Sequence, residues 1–219
     1  LADLEKLELL EVLCCMQVLR TLCFQASRAD GRQSNANFIG GYGWITANPE
    51  APPGAPTRKL AQASFERVEG LLFRVLRKQA ANDSNATGSL SEADKHGFEI
   101  FRRLGKQLGL IIPRTGKGQR FVLPSHLLRF LVAALLKPGE HILLTEFYER
   151  VFAHYGIALG EQQLATALDQ GEAQEGNRDY AIAADTRWIE EALSQGGFLV
   201  ELSDAVSMVR HPGTRQGME

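Results

Sequence analysis

From Leu4 onward apolar side chains recur at helical spacing: Leu4, Leu7, Leu10, Cys14, Val18 and Leu22. The pattern predicts one helix over residues 3–27 with those positions turned inward. Between Leu9 and Phe24 the other faces are largely apolar too, so the helix is expected to be buried, in its own core or against a partner. The periodicity then stops. The stretch DGRQSNANFIGGYGWITANPEAPPGAP, ending at Pro56, is rich in Gly, Pro and Asn and reads as a long loop. Tyr42 and Trp44 lie among its glycines and are expected to pin it to the core. A second helix is predicted over 58–81, with Leu60, Ser64, Val68, Leu71, Leu72, Val75 and Leu76 inward. A polar linker, NDSNATGS, follows. Ser89 with Glu92 has capping-box spacing and opens a third helix. That helix carries Gly97, Phe101, Leu104 and Leu108 inward and stops at Gly109.

Leu110 to Ile112 and Gln119 to Leu123 are short β-type runs on either side of PRTGKGQR, which predicts a hairpin. Pro124 and Ser125 start a helix over 126–136 that Lys137, Pro138 and Gly139 end. HILL is a short strand. Thr145 is expected to cap a helix that ends at Tyr155-Gly156, and a short helix runs from Gly160 to Leu168. After the acidic loop DQGEAQEGNRD, Asp185 is expected to cap a last helix over 186–195, closed by Gly196-Gly197. FLVELSDAVSMVRHP reads as a second hairpin, with alternation through Phe198, Val200 and Leu202, then Val206, Met208 and Arg210.

This order of elements carries a resemblance. Residues 198–212 resemble the wing of winged-helix domains, in which a helix ends in glycine and a β-hairpin follows. The departure is Asp204-Ala205, where a Gly is commoner. The helix and hairpin of residues 89–123 echo the layout. The resemblance covers roughly residues 58–212. It implies a mostly α fold with small β-hairpins, made of tandem winged-helix-like modules preceded by a buried N-terminal helix. The segments are then 1–56, the helix and its loop; 57–124, a first module with a basic hairpin; and 125–219, a second module with an acidic face.

Composition changes this picture little. The chain has 219 residues, 44% hydrophobic and 23% charged, ordinary values for a globular protein. No apolar run approaches the ~18 residues of a membrane span. The opening LADLEKLELLEVL is charged and amphipathic, unlike a secretory leader, and the first residue is Leu, as in a trimmed or partial chain. A cytoplasmic protein without membrane contact is expected. The three cysteines, Cys14, Cys15 and Cys23, share one predicted helix and read as small buried hydrophobes. Charge distribution is more informative. The net charge is −2, yet from Ile100 to Gly139 there is no Asp or Glu and there are eight Lys and Arg. The remainder therefore sums to −10. A basic band on an acidic chain is a footprint for a polyanion or a docking face for an acidic neighbour, including another part of the same chain.

PRTGKGQR invites comparison with a phosphate loop and fails it three ways. Ile111 stands where the first glycine belongs, Gly118 replaces the magnesium-binding hydroxyl, and a strand follows where a helix should start. A hairpin tip remains, with Gly116 and Gly118 supplying positive φ. In winged-helix proteins the helix before the wing often enters the major groove while the wing touches phosphate. The resemblance therefore implies nucleic-acid contact through Lys95, Arg102, Arg103, Lys106, Arg114, Lys117 and Arg120. The last helix, with Glu190 and Glu191, and its wing, with Glu201 and Asp204, would repel phosphate, so a protein is the expected ligand there; Trp188 is placed in the core.

No HExxH or GxSxG occurs, the five histidines lack metal-ligand spacing, and Glu146 and Glu149 read as a solvated face. No enzymatic activity, cofactor, metal or small-molecule substrate is expected. Two functions are carried forward. One is a DNA-binding accessory or regulatory protein. The other is an assembly or adaptor subunit, dimeric or bound to a partner protein. Tandem winged-helix proteins fill that role in chromosome-organising complexes, and a bacterial genome-defence system would be a comparable setting.

Overall fold

A computed structural model describes residues 3–31, 43–81, 99–169, 187–203 and 206–212. Seven helices and seven short strands lie within them. The chain is mostly helical, with three small sheets. No described helix is long and apolar enough to cross a membrane.

The first helix, α1, spans Asp3–Asp30, with Asp3 and Glu5 in its first turn and Arg28 in its last, as the helix dipole favours. Its packed face differs from the expected one. Met16, Leu19, Cys23 and Ala26 are buried, whereas Leu4, Leu7, Leu10 and Val18 are 70, 62, 53 and 43% exposed and Cys14 is also exposed. The helix is apolar on two sides, so periodicity alone names two inner faces. Contact with α2 (Pro56–Ala81) selects one of them. Helix α2 buries Leu60, Ser64, Val68, Leu71, Leu72 and Val75. Pro56 opens it, where a missing N–H costs nothing.

The long loop expected before α2 is in part a buried strand. Trp44–Ile45 forms β1, and residues 43–47 are all buried. It pairs in parallel with β5 (Ile157–Ala158), and Ala47 bridges Val122. The backbone bonds are Trp44 N to Gly156 O at 2.7 Å, Ala47 N to Phe121 O at 3.1 Å and Leu123 N to Ala47 O at 3.3 Å. Ser64 Oγ accepts from Ile45 N at 3.0 Å. Arg67 donates to Gly43 O and Ala167 O, each at 2.6 Å. The β1–β5 pairing joins residues more than a hundred apart, so no local pattern announces it. Trp44 is fully buried, in keeping with its expected pinning role.

Helix α3 is Glu99–Gln107, and Gly109 ends it with φ +68°. The expected hairpin follows: β2 (Ile111–Ile112) pairs antiparallel with β3 (Arg120–Phe121), Ile111 opposite Phe121. Then come α4 (Ser125–Leu135), β4 (His141–Leu143) and α5 (Leu144–Tyr155). Thr145 is not the cap of α5. Leu143 holds that position without a side-chain bond, because it is still paired to Met208 in the sheet and the strand runs straight into the helix. Gly156, at φ +72°, ends α5 as expected. After β5 come α6 (Glu161–Asp169), α7 (Arg187–Gln195), β6 (Leu199–Ser203) and β7 (Val206–Arg210). The largest sheet has the order β4-β7-β6, all antiparallel.

One hydrophobic core runs through Met16, Trp44, Phe65, Phe121, Phe147 and Val209, so residues of all three sequence segments share it. Phe121 is at its aromatic centre, with Phe65, Trp44 and Phe101 rings at 5.4, 5.7 and 6.3 Å. Trp188 is partly buried against this core. Tyr42, the Ser89–Glu92 capping box, Gly97, Asp185 and the Asp204-Ala205 turn lie outside the described residues.

Candidate nucleic-acid interface

The tip of the β2–β3 hairpin carries two of the expected cations. Arg114 and Lys117 are exposed, and Gly116 and Gly118 take φ of +90° and +76°, the left-handed turn that glycine permits. No helix starts at Gly118, so the stretch is a strand-joining turn and not a phosphate loop. The preceding helix packs Phe101 and Gly105 inward. With 100° per residue, Arg103 and Lys106 then fall on its outer side, Arg103 exposed and Lys106 half-buried. Glu99 precedes Arg103 by one turn on the same side. Gly105 is what lets α3 sit so close to the hairpin: a Cβ there would lie 2.3 Å from Ile111 Cδ1.

The remaining expected residues behave differently. Arg102 gives its charge to Glu69 of α2, Nε to Oε1 at 2.6 Å. Arg120 is at the hairpin base and only 6% exposed. Its Nη2 reaches Pro49 O at 3.4 Å and its Nε has no hydrogen-bond partner among the described residues. Burial first, then the charge of Arg58, lower its pKa from the ordinary arginine value. It is a structural cation and does not stand at the tip, because the alternation of a two-residue strand turns it under the loop. Lys95 lies outside the described residues. Arg129, another member of the basic band, is paired with Glu5 of α1.

Sequence reasoning missed one extension of this region. Arg58, in the first turn of α2, is close enough to Arg120 to depress it, and exposed Lys59 follows. The first turn of α2 contains no acid. A Cβ at Gly118 would come within 4.0 Å of Gln62, which places the hairpin tip beside the same helix. The signal was present as an acid-free helix start, but only the fold brings it to the hairpin.

Elsewhere, a groove of about 1080 Å³ is lined by Leu9, Leu128, Val132, Ala192 and Phe198 with His126 and Arg129. His126 Nε2 donates to Leu108 O at 2.8 Å and Arg129 is held by Glu5, while Lys6, Ser125, Gln195 and His211 also line the groove. Glu146 is not a free surface acid. With Glu140 it clamps Arg150, at 2.7 and 3.1 Å. The backbone N–H of Lys137, then the Arg150 guanidinium, hold the Glu140 carboxyl below its usual pKa. Among the described residues no group of three His, Cys, Asp or Glu is placed to hold a metal ion. The cysteines divide: Cys14 is exposed, contrary to expectation, Cys15 is half-buried, and Cys23 is fully buried.

No protein-family model, curated protein or solved structure matches the chain.

Proposed function

We propose that the protein is a non-enzymatic nucleic-acid-binding accessory or regulatory protein, built of tandem winged-helix-like modules, that contacts duplex DNA phosphates through α3 and the β2–β3 turn. The observation that carries the reading is selective pairing. Arg74, Arg102, Arg129 and Arg150 each meet a carboxylate. Arg103, Lys106, Arg114 and Lys117 have no carboxylate partner among the described residues. Their charge is left for an external anion, and Lys59 adds to it. The sheet order β4-β7-β6, with a strand between two helices joining the edge of a terminal hairpin, supports the winged-helix part of the reading.

Salt dependence tests it. Each phosphate neutralised contributes roughly −0.9 to the slope of log K against log salt, so four contacts give about −3.6. A fluorescein-labelled duplex titrated by anisotropy at several salt concentrations reads that slope. Lys117→Ala and Arg114→Ala should each reduce its magnitude by roughly 0.9. Arg102→Ala should leave it unchanged, since Glu69 already holds that charge. Undetectable binding, or binding indifferent to salt, overturns the reading.

A second reading, an assembly or adaptor subunit, is favoured by a separate observation: the open apolar side of α1.

A further inference from the structure

The exposed side of α1 has the spacing of a coiled-coil seam. Leu4, Glu11 and Val18 are seven residues apart, and Leu7 and Cys14 fall between them at the second heptad position. All five are exposed, and Leu10 stands beside them. The seam points away from Met16, Leu19 and Cys23, which are committed to the core. Leu4, Leu7 and Val18 along the seam, with Leu10 at its side, make a patch of roughly a few hundred Å², the scale at which exposed patches are functional.

Charge narrows what covers it. Glu11 sits at the seam's midpoint and Glu8 flanks it; both are exposed, and neither has an ion-pair partner among the described residues. The nearest basic side chain on that half of the helix, Lys6, is bonded to Asp3 at 3.0 Å. Pairing of two copies through this seam is disfavoured by symmetry. In parallel register Glu11 faces Glu11. In antiparallel register the two-fold axis falls near the midpoint and brings the two carboxylates within a turn of each other, inside an apolar strip. A polar residue at such a position selects partners, and here it selects against self.

We infer that α1 is a docking helix for a different protein, and that the partner supplies an amphipathic α-helix with an apolar stripe and a Lys or Arg set against Glu11. This rests on the assembly reading and names its ligand chemistry.

Two synthetic three-heptad peptides test it, identical in their Leu and Ile stripe and differing only in a central Lys or Glu. The wild-type chain should bind the Lys peptide about fivefold or more tightly than the Glu peptide. Glu11→Lys should reverse that order. Leu7→Asp should abolish binding of both while leaving circular dichroism and melting unchanged, because Leu7 is 62% exposed. Equal affinity for both peptides, or binding of neither, overturns the proposal. Concentration-dependent dimers in sedimentation equilibrium that vanish in Leu7→Asp also overturn it. That last outcome would remove the foreign basic helix yet keep an assembly role, whereas a monomer that binds neither peptide removes both.

Discussion

Gly105→Ala isolates the contact that sets the candidate interface. Glycine in a helix interior is unfavourable by about 1 kcal/mol relative to alanine, so propensity alone predicts a gain. The new methyl, however, would lie 2.3 Å from Ile111 Cδ1 and 2.9 Å from Cγ1. Ile111 is 0% exposed, and its strand is held opposite Phe121, so the side chain has nowhere to swing. Overpacking of this kind costs roughly 1–3 kcal/mol. The clash outweighs propensity, and a net loss of about 1 kcal/mol is expected in urea unfolding followed by fluorescence. The decisive measurement is the double-mutant cycle. Ile111→Ala removes both close atoms and leaves Cβ at 3.7 Å, an ordinary contact. In that background Gly105→Ala should stabilise by about 1 kcal/mol, the helix term with the clash gone. If Gly105→Ala has the same sign in both backgrounds, close approach of α3 to the hairpin is not what requires glycine, and the reasoning fails.

Arg67→Met should destabilise by roughly 3–5 kcal/mol, because it removes two charge-assisted bonds and leaves the Gly43 carbonyl with only the longer Ser64 Oγ bond at 3.4 Å; a change under 1 kcal/mol in urea unfolding would show that this arginine does not hold β1 to α6. Thiol labelling at pH 8 should modify Cys14 first, then Cys15, whose pKa burial raises. Cys23, pushed up to about 12 by burial, should react only on unfolding or in strong alkali. Rapid labelling of Cys23 in the folded chain would refute the assignment of the packed face of α1.

Element positions were largely legible along the chain because local chemistry sets them. The 3.6-residue period, Gly109 and Gly156 as helix stops, and the Gly116–Gly118 turn all depend on neighbours within a few residues. The candidate site was only half legible. Composition marked the basic band, and it placed Arg114 and Lys117 at a turn. It could not tell which cations remain free, because Glu69 and Pro49 reach Arg102 and Arg120 across long sequence separations.

By itself, then, the sequence determined where helices and hairpins lie and where positive charge accumulates. Tertiary structure decided which side of α1 is covered, that residues 43–47 are buried with β1 paired to β5 and Ala47 bridged to Val122, and which arginines are spent internally. The reason is physical. Periodicity and turn chemistry are short-range properties of the backbone, whereas burial of one apolar face over another and the pairing of charges are settled by surfaces that meet only once the chain has folded.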